Sequence, residues 1–329
     1  MQILVLLICS LALVACTGSA QASDRNEDLD TCRLSVDTAR KIESCTRLIE
    51  DMTVAPETRS LALLSRGIGR EGQGDHKAAM ADYDAAIRID PRSATARMLR
   101  ASLFQTQRDY DRAIDDLAMA IRINPTDAIY YFRRGMAYNA KNDIAHAIAD
   151  YTRAIEIKPD YVDAFWYRGH AYEDVHQPQR AIADYSEAVR IEPRAPRGYG
   201  ARGSVYQSLG ELDLAIADYK ESLRLAPGSY GIFYERGVCY REKGELDLAI
   251  ADFDEAIRLS PKYPGAHYQR GLAHRAKGDR DQAIADFREA IRIAPLASAD
   301  SIKELKELGA RTPDSEQDAL KQGVLQLLK

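Results

Sequence analysis

Long apolar stretches are missing from this chain. The longest, Ile3–Val14 (ILVLLICSLALV), has 12 residues, well short of the roughly 20 that a membrane-crossing helix needs. Cysteine is scarce: five in 329 residues exclude a disulfide-dense small scaffold. One Trp and 6 Phe stand against 18 Tyr. Tyrosine suits half-buried positions with one wet edge, so many small interfaces are expected rather than one large core. Neither charge sign dominates. The 45 basic and 50 acidic residues leave a net charge of -5, which argues against a broad basic surface for nucleic-acid phosphates. The histidines (His76, His146, His170, His176, His267 and His274) include no i,i+4 pair of the kind that holds a metal. What is there suffices for a folded protein: 46% apolar and 29% charged residues can bury a core.

No charge appears before Asp24, and no Lys or Arg precedes the apolar run. That run fits the apolar region of a secretory signal. Two processing sites compete. Leu13-Val14-Ala15-Cys16 resembles a bacterial lipobox, which implies a lipidated Cys16 as the mature N-terminus, with Thr17 after it not retaining the lipoprotein at the inner membrane. Ala20-Gln21-Ala22 offers an ordinary small-x-small site before Ser23. Either reading exports the chain, to the periplasm or to the outer membrane through an N-terminal lipid. Residues 1–22 are therefore assigned to a signal.

The remaining chain is governed by a period. Prolines 91, 125, 159, 193, 227, 261 and 295 are each 34 residues apart. Laid out at that spacing, residues 60–297 form seven units, and other columns align. Position 8 is glycine in six units and Ala101 in the second. Position 20 is always alanine, from Ala79 to Ala283. Position 24 is Tyr83, Leu117, Tyr151, Tyr185, Tyr219, Phe253 and Phe287. Positions 2–15 and 18–31 carry helical apolar spacing and predict two antiparallel helices, A and B. Glycine at position 8 is expected to face alanine at position 20, with the rings of columns 24 and 11 filling the space between helices. Gly74, Gly210, Gly244 and Gly278 at position 15 end helix A. An acidic residue follows each of them, near the start of helix B. Pro178 opens helix B of the fourth unit.

These columns resemble the tetratricopeptide repeat: small residues at 8, 20 and 27, bulky ones at 4, 11 and 24, proline at 32. The fold class implied is all-α, a right-handed α-α superhelical solenoid with a concave side, because one unit cannot bury its own faces but a stack can.

Two columns belong to this version of the repeat. Position 7 is arginine and position 23 aspartate in all seven units. Antiparallel helices bring the two together, so a ladder of structural ion pairs is expected, among them Arg134–Asp150, Arg168–Asp184, Arg202–Asp218 and Arg236–Asp252.

Residues 23–59 read as a degenerate capping repeat. Cys45-Thr46-Arg47-Leu48-Ile49-Glu50 parallels Tyr151-Thr152-Arg153-Ala154-Ile155-Glu156, which puts Cys45 at position 24 and Cys32 at position 11 on facing helices. In an oxidising compartment a Cys32–Cys45 disulfide is expected. Cys239 reads as a buried thiol. Residues 298–329 are assigned to a capping helix (299–308) and a short amphipathic tail carrying Leu320, Val324, Leu327 and Leu328 on one side.

No catalytic constellation emerges. Gly67-Ile68-Gly69-Arg70-Glu71-Gly72 matches G-x-G-x-x-G, but it lies inside a repeat helix rather than after a strand. No cofactor or metal is implied. The resemblance places helix-A positions 2, 5, 9, 12 and 13 on the concave face. There the residues vary from unit to unit: Phe132, Asn139, Trp166, His170, Glu173, Gln207, Tyr234, Arg241, Tyr268 and Arg275 are the candidate contacts. The chaperone-tail clamp of some relatives uses Lys and Asn at such positions, and those are largely missing here. The function expected is a non-enzymatic scaffold of the bacterial cell envelope that binds a peptide or helix of a partner protein. The alternative is a self-associating assembly module.

Overall fold

The structure is a computed structural model that describes residues 24–295 and 299–310. The signal region with Cys16, and the tail from 311 onward with Leu320 to Leu328, lie outside the described residues. Among the described residues there are seventeen helices and no strand. They run as α1 (24–34), α2 (Thr38–Glu50), α3 (Pro56–Gly72), α4 (His76–Ile89), α5 (Ala94–Thr106), α6 (Tyr110–Ile123), α7 (Ala128–Ala140) and α8 (Ile144–Ile157). The series continues with α9 (Val162–Asp174), α10 (Pro178–Ile191), α11 (Pro196–Ser208), α12 (Leu212–Leu225), α13 (Tyr230–Glu242), α14 (Leu246–Leu259), α15 (Pro264–Lys277), α16 (Arg280–Ile293) and α17 (Ala299–Glu307). The chain divides into two compact units between Ala164 and Phe165, inside α9. No described helix is long and apolar enough to cross a membrane.

Each repeat is a pair of helices, and their limits differ slightly from the sequence expectation. Helix A mostly occupies positions 1–13 and helix B positions 17–30. The reason is the backbone at position 15, which is left-handed in every unit. Gly74, Gly210, Gly244 and Gly278 have φ of 80°, 76°, 79° and 89°. Arg108, Asn142 and His176 adopt φ of 60°, 63° and 56° at the same position without glycine's freedom. Position 16 is then the N-cap of helix B. Asp75, Asp109 and Asp143 accept from the backbone N–H of Ala78, Arg112 and His146. Glu211, Glu245 and Asp279 make no such bond.

Inside the hairpin the structure corrects one expectation. A Cβ on the column-8 glycines would collide first with the column-24 ring. It would lie 2.4 Å from Tyr83 Cε1 at Gly67, 2.9 Å from Tyr219 Cε1 at Gly203 and 2.7 Å from Phe253 Cε1 at Gly237. The column-20 backbone is close as well in the third unit, where the Ala147 carbonyl lies 3.3 Å from a Cβ at Gly135. Helix A lacks a side chain at position 8 to admit a six-membered ring from helix B. The second unit fits that rule: Ala101 stands opposite Leu117, the only non-aromatic residue of column 24. Both residues are buried.

Every column-7 arginine meets the column-23 aspartate of its own unit. In the first compact unit the pairs are Arg66–Asp82, Arg100–Asp116 and Arg134–Asp150, each with an N···O distance of 2.7 Å. In the second they are Arg168–Asp184 at 2.7 Å, Arg202–Asp218 at 2.8 Å, Arg236–Asp252 at 2.7 Å and Arg270–Asp286 at 2.6 Å. Each is bidentate, as Arg134 shows with Nε on Oδ2 and Nη2 on Oδ1. The third guanidinium nitrogen often reaches the preceding hairpin at position 25. Arg66 donates to Thr46 Oγ1, Arg100 to Asp84, Arg202 to Ser186 Oγ and Arg270 to Asp254. One arginine thus ties two helices of its own unit to the helix before. Aromatic rings at positions 4 and 11 flank it: Arg236 lies 5.6 Å from the Phe233 ring and 5.8 Å from Tyr240.

The two ends are closed differently. At the N-terminal cap a disulfide joins Cys32 and Cys45, with Cα atoms 4.9 Å apart, inside a small core with Leu48, Val54 and Ala62. At the C-terminal end α17 packs on α16. Its Leu305 is buried against Phe287 and Ile291, and its Glu304 and Glu307 receive Arg275. Cys239 is a buried free thiol whose pKa is pushed up to about 12 by burial and by the nearby Glu242 and Glu235 carboxylates.

Candidate functional site on the helix A faces

The outward face of helix A differs between the two compact units. In the first, apolar residues alternate with the polar Thr95 and Ser102 of α5. Leu61 and Ile68, at positions 2 and 9 of α3, are 61% and 49% exposed. Met98, Ile129 and Met136 follow, partly buried, on α5 and α7. Phe132, named as a groove contact, is instead a packing residue: it is 8% exposed. Its ring lies 4.9 Å from Tyr161 and 5.9 Å from Tyr151. Asn139 is part-buried, and its Oδ1 has no donor.

In the second compact unit the same positions carry rings and hydrogen-bonding groups. On α9 the Trp166 and His170 rings meet edge to face at 4.1 Å. Arg197 of α11 stands 5.9 Å from the indole. Neither Trp166 Nε1 nor His170 Nε2 has a hydrogen-bond partner, although both atoms are shielded from solvent. His170 Nδ1 lies 3.3 Å from Glu173 Oε1, and the Tyr185 hydroxyl donates to the same oxygen. Burial pushes the Glu173 carboxyl up, but the bonds from His170 and Tyr185 outweigh it and hold its pKa below the usual glutamate value. Tyr185 is driven the other way, far above an ordinary phenol, by burial and by that carboxylate.

This contact reveals what the sequence reading missed. In three hairpins position 12 serves the core of its own hairpin. Tyr83 donates to Glu71 at 3.0 Å, and Tyr219 to Gln207 at 2.6 Å. Glu173 and Gln207 are therefore occupied by column-24 hydroxyls and are not free to read a ligand. Gln207 Nε2 also donates to Glu235 Oε2 at 3.1 Å. The signal was present in the sequence. Where column 24 is Tyr, position 12 is Glu71, Asn139, Glu173 or Gln207; where it is Phe, position 12 is Arg241 or Arg275. Tyr234 and Tyr268 stand on this face with rings 6.1 Å and 5.9 Å from Phe253 and Phe287. Among the described residues no group of His, Cys, Asp and Glu could hold a metal ion.

Family models described as TPR repeat and tetratricopeptide repeat match residues 64–128, 135–175, 168–230, 237–278 and 264–297. The chain belongs to the tetratricopeptide repeat family. No curated protein matches it. Among solved structures, the C-terminal part of a TPR repeat-containing protein from Cytophaga hutchinsonii is 17% identical with a TM-score of 0.62, over 73% of this chain and 98% of that one. A tetratricopeptide repeat protein from Parabacteroides merdae is 18% identical with a TM-score of 0.55, over 76% of this chain and 98% of that one. YrrB, described as a TPR protein with an unusual peptide-binding site, is 23% identical with a TM-score of 0.52, over 58% of this chain and 97% of that one. These likenesses show the fold.

Proposed function

We propose that this tetratricopeptide repeat protein is a non-enzymatic scaffold. Its helix-A faces would bind a peptide segment or helix of another protein of the bacterial envelope. The observation that carries this is the Trp166–His170 pair: two ring nitrogens shielded from water yet lacking partners, on a face whose residues change from unit to unit. Leaving a buried donor or acceptor unpaired costs about 1–3 kcal/mol each, which a partner's backbone or side chain would recover. YrrB, which shares the fold, carries a peptide-binding site, and the same class of ligand suits this face.

The envelope setting rests on the apolar N-terminal run and on the cap disulfide, which belongs in an oxidising compartment. On this reading the chain is exported and anchored through a lipid on Cys16. Intact mass of the mature protein decides the point: a diacylated or triacylated Cys16 supports the anchor, and a chain starting at Ser23 replaces it with a soluble periplasmic form.

The binding role is tested by a photo-crosslinking side chain at position 166, compared with one at the exposed Leu248 on helix B. A heterologous adduct from 166 but not from 248 is expected. Trp166→Ala should weaken capture of that partner by roughly thirtyfold, the scale of an interface anchor. Adducts from 166 to other copies of this chain alone would overturn the reading in favour of self-assembly.

A further inference from the structure

Position 12 supplies a feature that the scaffold role alone does not require. In three of the four hairpins with a column-24 tyrosine, its side chain accepts from the ring hydroxyl, Asn139 being the exception. In the last two units Phe253 and Phe287 have no hydroxyl, and position 12 is an arginine. The two arginines, 34 residues apart, have different fates. Arg275 is covered: Glu304 and Glu307, one turn apart on α17, both reach its Nη1. Arg241 is not. Its nearest carboxylate is that of its exposed neighbour Glu242, at 3.9 Å, and its Nε is buried with no acceptor. Gln269 Oε1, on α15, is also buried without a donor. The Glu235 carboxyl, also on α13, is engaged by Gln207, and burial pushes its pKa up.

We infer that Arg241 is the anchor for an acidic segment of the partner, taking one or two Asp or Glu carboxylates. The chemistry of the occupant follows from α17, which places a pair of carboxylates on the equivalent guanidinium one unit away. The inference rests on the scaffold reading and adds the sign of the ligand's charge. A guanidinium with an unsatisfied buried Nε gains a charge-assisted hydrogen bond from a carboxylate.

The test uses the full chain at low salt with fluorescein-labelled hexaglutamate, and hexaglutamine as the neutral control, read by fluorescence anisotropy. Saturable binding of hexaglutamate alone is expected. Arg241→Ala should weaken it about tenfold, Arg241→Lys less. Arg258→Ala, which removes an exposed helix-B arginine paired with Glu255, should leave it within about twofold. Should Arg241→Ala fail to fold by circular dichroism, Arg241→Gln carries the comparison. Absence of saturable hexaglutamate binding, or equal losses at 241 and 258, overturns the inference. The scaffold reading is scored separately: a partner crosslinked from position 166 that persists in Arg241→Ala leaves it standing while the acidic anchor falls.

Discussion

The two compact units share an interior and differ in their outward faces. Both carry the same arginine–aspartate pair in every hairpin, with aspartate side chains 3–9% exposed. On the helix-A faces, however, the first unit presents Leu61, Ile68, Met98 and Met136 with Thr95 and Ser102 but no Trp or His, and the second Trp166, His170, Tyr234, Arg241 and Tyr268 with Val238 and Leu272. The lesson is a division of labour by position. Columns 7, 8, 20, 23 and 24 hold the hairpin together wherever it occurs, which releases positions 2, 5 and 9 to differ. Position 12 falls between the two classes, because the column-24 hydroxyl claims Glu71, Glu173 and Gln207, while a phenylalanine leaves the position to an arginine.

The comparison breaks first if the shared interior is not equivalent. Asp150→Ala in the first unit and Asp218→Ala in the second each strand a largely buried guanidinium, and each should cost about 3–5 kcal/mol. Chemical denaturation followed by far-UV circular dichroism checks this, and the two variants should shift the transition alike. A much smaller loss in one unit would show that its ladder is replaceable by solvent.

A smaller effect sharpens the rule for column 8. Gly203→Ala places a Cβ 2.9 Å from Tyr219 Cε1 and should cost about 1–3 kcal/mol through overpacking. In the second hairpin the pairing is already Ala101 with Leu117. There Leu117→Tyr alone should destabilise by a similar amount, and Ala101→Gly with Leu117→Tyr should restore most of the loss. The readout is a double-mutant cycle on the denaturation midpoint. Additive losses would sink the ring-admission account.

The smallest effect concerns the helix A ends. Arg108 in the first unit and His176 in the second hold left-handed backbone, at a cost of roughly 1–2 kcal/mol each. Arg108→Gly and His176→Gly should each raise the melting temperature by a few degrees, an amount near 0.5–1 kcal/mol. Gly210→Ala should lower it. Destabilisation by both glycine variants would mean that the native side chains make compensating contacts.

Much of the fold is legible in the sequence because a 34-residue recurrence is a linear signal: seven prolines, seven alanines at position 20 and six glycines at position 8 mark the hairpins without reference to space. The facing of position 7 and position 23, and of Cys32 and Cys45, follows once two antiparallel helices are granted, since their separations of 16 and 13 residues both close across one hairpin. The candidate site was less legible. Phe132, Glu173 and Gln207 share a face pattern with Trp166 and Arg241, and nothing in helical spacing separates an outward side chain from one drawn into its own hairpin.

By itself the sequence determined the helical class, the number of hairpins, and the charges and sulfurs brought opposite one another. Periodicity and antiparallel pairing are properties of the chain. Only the tertiary structure decided that the column-24 ring, rather than column 20, forbids a side chain at position 8. It also decided that Glu71, Glu173 and Gln207 accept from the column-24 hydroxyl, and that Arg275 is covered by α17 while Arg241 is not. These depend on where side-chain tips end after two helices cross, a matter of ångströms in space that residue spacing does not encode.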